Sequence, residues 1–261
     1  MVHHRVRQVI YLVAFLALLA GVGTILYSYR AQPPAPTCSD NIKNGTEEGP
    51  DCGGSCIPCA EKYPQPLRTS VLKTRIVNGL MEVLGKAENG NDVMSAYDFQ
   101  YVFDFKDSSG KIITTRSGYY SLAPHAASLF VENGVDAANS AVVDFKATDV
   151  NWIKTTQVLA PTFRIDMGKF FVPQKGEFGA FEADGVLVNN SLEHVDTVDV
   201  VVVLYDAQSQ IVEFSRTQLH NVGPFEQRAF RVIWQMAPGG TVARAEGSAT
   251  VDIRSYIPGA N

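Results

Sequence analysis

Four cysteines, Cys38, Cys52, Cys56 and Cys59, are confined to residues 38–59, and the chain has no others. Clustered thiols can pair, bind a metal or exchange electrons. The spacing favours two disulfides. A four-cysteine zinc site usually sets its ligands as two separated C-x-x-C knuckles, and here only Cys56 and Cys59 form such a pair. A redox-active C-x-x-C needs a preceding strand and a helix opening at the motif. No strand signal leads into Cys56, and the Ala60-Glu61-Lys62-Tyr63-Pro64 that follows Cys59 is a poor helix. Four cysteines allow three pairings, and spacing does not choose among them. Between them stand Asp40, Asn44, Glu47, Glu48 and Asp51 in a glycine-rich stretch. Close-set oxygen ligands of this kind suit Ca²⁺, with Asp40, Asn44, Glu47 and Asp51 as the candidate donors; the spacing is not that of an EF-hand. No other cofactor is called for.

The remaining chemistry-bearing residues are scattered. His125, His194 and His220 are isolated, and no spacing joins them into a triad or metal site. No G-x-S-x-G, H-E-x-x-H, P-loop or G-x-G-x-x-G stretch occurs. Asp92, Asp98, Asp104 and Asp107 read as solvated faces, and Trp152 and Trp234 as core. Tyr119 and Tyr120 read as packing, although exposed tyrosines would suit carbohydrate or protein contacts. With a net charge of −5 and no basic run in the body, nothing points to nucleic acid.

The elements that position these residues begin with an apolar run. Val9 to Tyr29 carries no charged residue. As a helix it spans about 30 Å, the thickness of a bilayer's hydrocarbon core. Arg5 and Arg7 precede it, while Arg30 alone follows closely. The positive-inside rule therefore puts residues 1–8 in the cytoplasm and the body outside. A cleaved signal peptide is the competing reading, but the run is long for one and Tyr-Ser-Tyr-Arg is a poor cleavage site. Residues 30–37 form a proline-rich spacer, AQPPAP at its centre, followed by the cysteine module of residues 38–59. That module is too rich in glycine and proline for a regular helix or strand, so crosslinks or a metal must hold it.

After Pro66 the texture becomes strand and turn. Phe99, Tyr101, Phe103 and Phe105 alternate with Gln100, Asp104 and Lys106, and Asp107-Ser108-Ser109-Gly110 turns the chain into Lys111–Thr115. Val198–Tyr205, the turn at Asp206–Ser209 and Ile211–Phe214 repeat this pattern. The halves match at an offset near 100: Glu82 and Gly85 with Glu182 and Gly185, Asn89 with Asn189, Asp107 near Asp206, and Leu122-Ala123-Pro124 with Val222-Gly223-Pro224. A period of that size predicts two tandem immunoglobulin-like β-sandwiches, residues 67–157 and 158–257, in an all-β body.

Two resemblances add to this. Cys38-x-Asp40, Asn44-Gly45, Glu47, Gly49 and Asp51-Cys52-Gly53-Gly54-x-Cys56-x-x-Cys59 resemble a short motif of exported bacterial proteins; Pro50 stands where many examples have an aliphatic residue. Gly185–Ser191, Val200–Asp206, Pro224, Phe225 and Phe230 resemble the FxLYD-type immunoglobulin-like modules of bacterial envelope proteins. The first half fits more loosely, with Phe105-Lys106-Asp107 in place of Leu204-Tyr205-Asp206. These resemblances imply an exported β-sandwich protein and transfer no catalytic residue. The expectation is a non-enzymatic envelope protein, held in the bilayer by Val9–Tyr29, that binds or assembles with protein partners. The alternative is a carbohydrate or cell-wall binder, with or without calcium. A hydrolase or thiol-redox enzyme has no residue cluster to rest on.

Overall fold

The computed structural model describes residues 2–30, 37–154, 161–171 and 180–252. The spacer at residues 31–36 lies outside them, as do the expected end of the first sandwich, the start of the second and residues 253–257. The chain divides into two compact units, residues 1–59 and 60–261.

In the first unit, α1 (Val2–Arg30) is longer at both ends than the apolar run, and its Val6–Ser28 stretch is long and apolar enough to cross a membrane. Its large side chains, among them Ile10, Phe15, Leu18 and Leu26, are exposed. Beyond residue 36 the chain turns repeatedly, with an isolated antiparallel bridge between Gly49 and Cys52. One helical turn, α2 (Cys59–Lys62), opens at the last cysteine, where the first unit ends.

The second unit is built from antiparallel strands: β1 (Arg68–Val77), β2 (Leu80–Glu88), β3 (Met94–Lys106), β4 (Ile112–Leu122), β5 (Ala127–Val135), β6 (Val142–Thr148), β7 (Asn151–Lys154), β8 (Phe163–Phe171), β9 (Phe181–Asn189), β10 (Val195–Tyr205), β11 (Ile211–Val222), β12 (Gln227–Trp234) and β13 (Arg244–Thr250). They form two sandwiches. In the first, sheet β1-β2-β5 faces sheet β4-β3-β6, with β7 also paired to β3. Phe99, Phe103 and Phe105 of the alternating run are fully buried between these sheets with Val83, Phe130 and Phe145. In the second, sheet β12-β9-β8 faces sheet β11-β10-β13 over Leu187, Val200, Val202, Leu204 and Trp234.

Strand orders and local anchors correspond between the sandwiches. Asn89 is buried, and its amide donates to the carbonyls of Met94, Leu122 and Ala123. Asn189 is buried in the same way and donates to Glu193 and Gly223. Each side-chain oxygen accepts the amide N–H two residues on, from Asn91 and Ser191. Pro124 and Pro224 each lead a tight turn whose next residue, His125 (φ 58°) or Phe225 (φ 54°), is left-handed. The turns close at 3.2 Å through Ala126 N–H to Ala123 and Glu226 N–H to Gly223. In both hairpins an aspartate caps the turn: Asp107 Oδ1 accepts the amides of Ser109 and Lys111, and Asp206 Oδ1 those of Gln208 and Gln210. Asparagine, aspartate and proline recur at these offsets because each satisfies or pre-sets backbone that a turn would leave unpaired.

Gly85 and Gly185 share a different role. A Cβ on Gly185 would lie 2.4 Å from the Phe230 ring, and one on Gly85 would lie 2.7 Å from Phe103 and 2.9 Å from Phe145. The missing side chain lets an aromatic ring lie directly over the strand.

The sandwiches are not independent. Leu84, Val131, Val201, Val203 and Phe214, each at most 3% exposed, form a third apolar cluster. It joins the outer face of β1-β2-β5 to that of β11-β10-β13, so the layers run β4-β3-β6, β1-β2-β5, β11-β10-β13, β12-β9-β8. Leaving water for such a site favours docking by roughly 1.5–3 kcal/mol per large apolar side chain.

Candidate binding surfaces

The cysteine module is the first candidate. Cys38 pairs with Cys56, and Cys52 with Cys59. A turn of helix does open at Cys59, but the two thiols of the C-x-x-C are bonded to different partners, so that pair is not a redox couple. The Glu47 carboxylate lies against the Cys38–Cys56 sulfurs, which are bonded to each other and offer no thiolate to a metal. Asp51, 1% exposed, accepts the amides of Asp40 (2.8 Å) and Asn41 (2.9 Å) through one oxygen. Asp40 accepts from Ile42 N–H and the Asn44 amide, and Glu47 accepts Asn44 N–H. Hydrogen bonds from Asn44 and the Ile42 amide hold the Asp40 carboxyl below its usual range. The structure therefore brings Asp40, Asn44, Glu47 and Asp51 together, with N–H donors already placed on all three carboxylates. Asn44 Oδ1 is buried without a hydrogen-bond partner. Gly53 (φ 80°) and Gly54 (φ 60°) turn the chain in the left-handed region, where a Cβ would meet Glu48 at 2.6 Å and Thr46 O at 2.2 Å. This accounts for the Asp-Cys-Gly-Gly sequence: aspartate caps one turn, and two glycines make the next.

The docked sheets supply the second candidate. Arg75 on β1 bonds Glu82 on β2 through Nε (2.7 Å), pairs with Glu213 on β11, and lies 4.7 Å from the Phe214 ring centre. All three charged side chains are less than a fifth exposed. At the margin of this interface is a groove of about 680 Å³, lined by Lys73, Lys86, Ser128, Tyr205, Gln210 and Ser248 among others. Arg244 covers the Tyr205 ring at 4.2 Å. On another side, Tyr101 donates to Glu132 (3.0 Å), and burial with the Glu132 charge pushes its hydroxyl pKa up. None of these interface residues was singled out as a site from sequence. An apolar residue on a strand looks the same whether it meets its own core or a neighbouring sheet.

The histidines take separate partners: His125 with Asp92 (3.3 Å), His194 with Asp196 (3.5 Å) and His220, within β11, with Thr197 (3.1 Å). Trp234 is buried and donates to Phe214 O, while Trp152 packs on the first core. Tyr120 is buried and Tyr119 is 55% exposed. Asp104, expected on a solvated face, is instead 5% exposed, because Lys146 (2.7 Å) and Thr115 (2.9 Å) close over its carboxylate.

No protein-family model matches the chain, and no curated protein does. Among solved structures, it is similar to a red sea bream transglutaminase at 11% identity and a TM-score of 0.23. That match covers 74% of this chain and 32% of the fish protein.

Proposed function

We propose that this chain is a membrane-tethered binding or assembly protein of the cell envelope, without enzymatic activity, whose two docked sandwiches act as a single rigid platform. The observation that carries the reading is the apolar cluster of Leu84, Val131, Val201, Val203 and Phe214, locked at its margin by Arg75. It fixes strands from both sandwiches around one groove, an arrangement suited to recognition rather than to hinge motion. The exposed apolar side chains of α1 and the paired cysteines support an anchor and an oxidising compartment. The shared asparagine, aspartate and proline anchors support an internal duplication of an FxLYD-like module.

Two measurements test this. Intact mass of the membrane-extracted chain, alkylated with and without reduction, should show an uncleaved N-terminus and four thiols reactive only after reduction. Thiols alkylated without reduction would overturn the orientation. A photo-crosslinking residue at Lys73 or Gln210 should capture a protein from the native envelope, and the same residue at exposed Asn190 should not. Equal capture at both positions would remove the groove from the reading.

A further inference from the structure

The sandwiches dock through unlike faces, so each leaves uncovered by the described residues, on its far side, the counterpart of the face the other used. Register fixes the correspondence. Gly185 faces Phe230 as Gly85 faces Phe130, so the neighbouring pair Asp184–Arg231 stands where Leu84–Val131 stands. On the other outer sheet, the turn-closing pairs Lys106–Ile112 and Tyr205–Ile211 match. The pair Asp104–Thr115 therefore occupies the place of Val203–Phe214. Of the five buried interface side chains, only Val201 has an apolar counterpart, Val102.

Three of the four replacements, Asp184, Arg231 and Asp104, are charges already paired within their own sheet. Arg231 pairs with Glu182 (2.9 Å) and Asp184 (2.7 Å) and sits 5.4 Å from the Phe171 ring centre. Asp104 is held by Lys146 and Thr115, and Lys106 pairs with Asp144. A heterologous interface that does not close repeats without end, and unprotected sheet faces aggregate. Burying ion pairs that already hold their partners costs their hydration and brings no new opposite charge. We propose that the outer faces of β12-β9-β8 and β4-β3-β6 are the two unused halves of the interface that joins the sandwiches, and that Asp184, Arg231 and Asp104 are stops that end the stack at two. The occupant they exclude is a second copy of this chain. This goes beyond the tethered-platform reading and does not depend on it.

The test gives each outer face the side chains of its buried counterpart, in the full chain in detergent micelles. One variant carries Asp184→Leu, Arg231→Val and Phe171→Arg, the last restoring for Glu182 the partner that Arg75 is to Glu82. The other carries Asp104→Val, Thr115→Phe and Thr114→Glu, matching Val203, Phe214 and Glu213. Light scattering coupled to size exclusion should report one-chain protein mass for wild type and for each variant alone, and a twofold mass when the variants are mixed. All six substitutions in one chain should give a mass that climbs with concentration. Variants that melt cooperatively yet do not associate when mixed would overturn the proposal, as would wild type that already associates through these faces. If either variant fails to fold, Val203→Asp carries the test by placing the stop inside the existing interface. It should split a single calorimetric transition into two. A single transition at the wild-type temperature would refute the idea.

Discussion

Replacing Asn189 by alanine removes four hydrogen bonds at a position with no exposure to water: two donated, to Glu193 O (2.8 Å) and Gly223 O (2.9 Å), and two accepted, from Ser191 N–H (3.0 Å) and Ser191 Oγ–H (2.6 Å). Their losses are unequal. The Gly223 carbonyl keeps the Glu226 amide, and the partly buried Ser191 hydroxyl can rotate toward water. The Ser191 N–H and the Glu193 carbonyl lose the partner that satisfied them, at roughly 1.5 kcal/mol each. With about 1 kcal/mol for the hydroxyl bond and the vacated amide volume, the total is about 4 kcal/mol. For a body of this size that lowers Tm by about 8–16 °C. The assay is urea and thermal unfolding of the full chain in micelles, followed by tryptophan fluorescence, because Trp152 packs on one core and Trp234 lies in the other. Asn89→Ala should cost at least as much, since Asn91 bonds both Asn89 Oδ1 and the backbone of Gln65. Asn190→Ala, at an exposed neighbour, is the control and should stay within about 0.5 kcal/mol of wild type. A cost below about 1 kcal/mol for Asn189→Ala would refute the view that these asparagines anchor the loop ends.

Four further outcomes are expected. Phe225→Gly should raise stability by about 0.5–1 kcal/mol, because an exposed phenylalanine now holds a left-handed φ of 54°; a lower melting temperature would mean the ring packs on something. Gly185→Ala should cost about 1–3 kcal/mol by forcing the Phe230 ring off the strand, a difference readable as a shifted urea midpoint. Lys146, and then Thr115, hold the Asp104 carboxyl below its usual range. Its contribution is therefore complete above the unfolded value of about 3.9 and is lost as pH falls through the lower folded one. Asp104→Asn should flatten the acid limb of stability below about pH 4, and an unchanged limb would count against the ion pair. Finally, proteolytic peptides of the unreduced protein should link Cys38 to Cys56 and Cys52 to Cys59. By loop-closure entropy the longer crosslink is worth about 3 kcal/mol and the shorter about 2 kcal/mol; any other pairing refutes the turn geometry described for this module.

The sequence by itself determined those features that local physics controls. An uncharged apolar run long enough to cross a bilayer forms α1 whatever surrounds it. Asp107 and Asp206 mark hairpins because their side chains cap their own turns. Asn89 and Asn189, with the prolines at 124 and 224, betray the correspondence between the halves because few residue types can do those tasks. Only the tertiary structure decided the rest. Three cysteine pairings were open until the turns at Asp51, Gly53 and Gly54 brought particular sulfurs together. Val198–Tyr205 reads simply as an apolar strand; Val200, Val202 and Leu204 face one core, while Val201 and Val203 face the other sandwich. Leu84, Val131 and Phe214 gave no sign of joining two sheets, because hydrophobic burial is non-directional and a strand does not encode which surface will cover it. The same holds for the charges at Asp104, Asp184 and Arg231. Asp104 reads from sequence as a solvated face but is nearly buried under Lys146 and Thr115, and nothing local marks Asp184 and Arg231 as register equivalents of Leu84 and Val131.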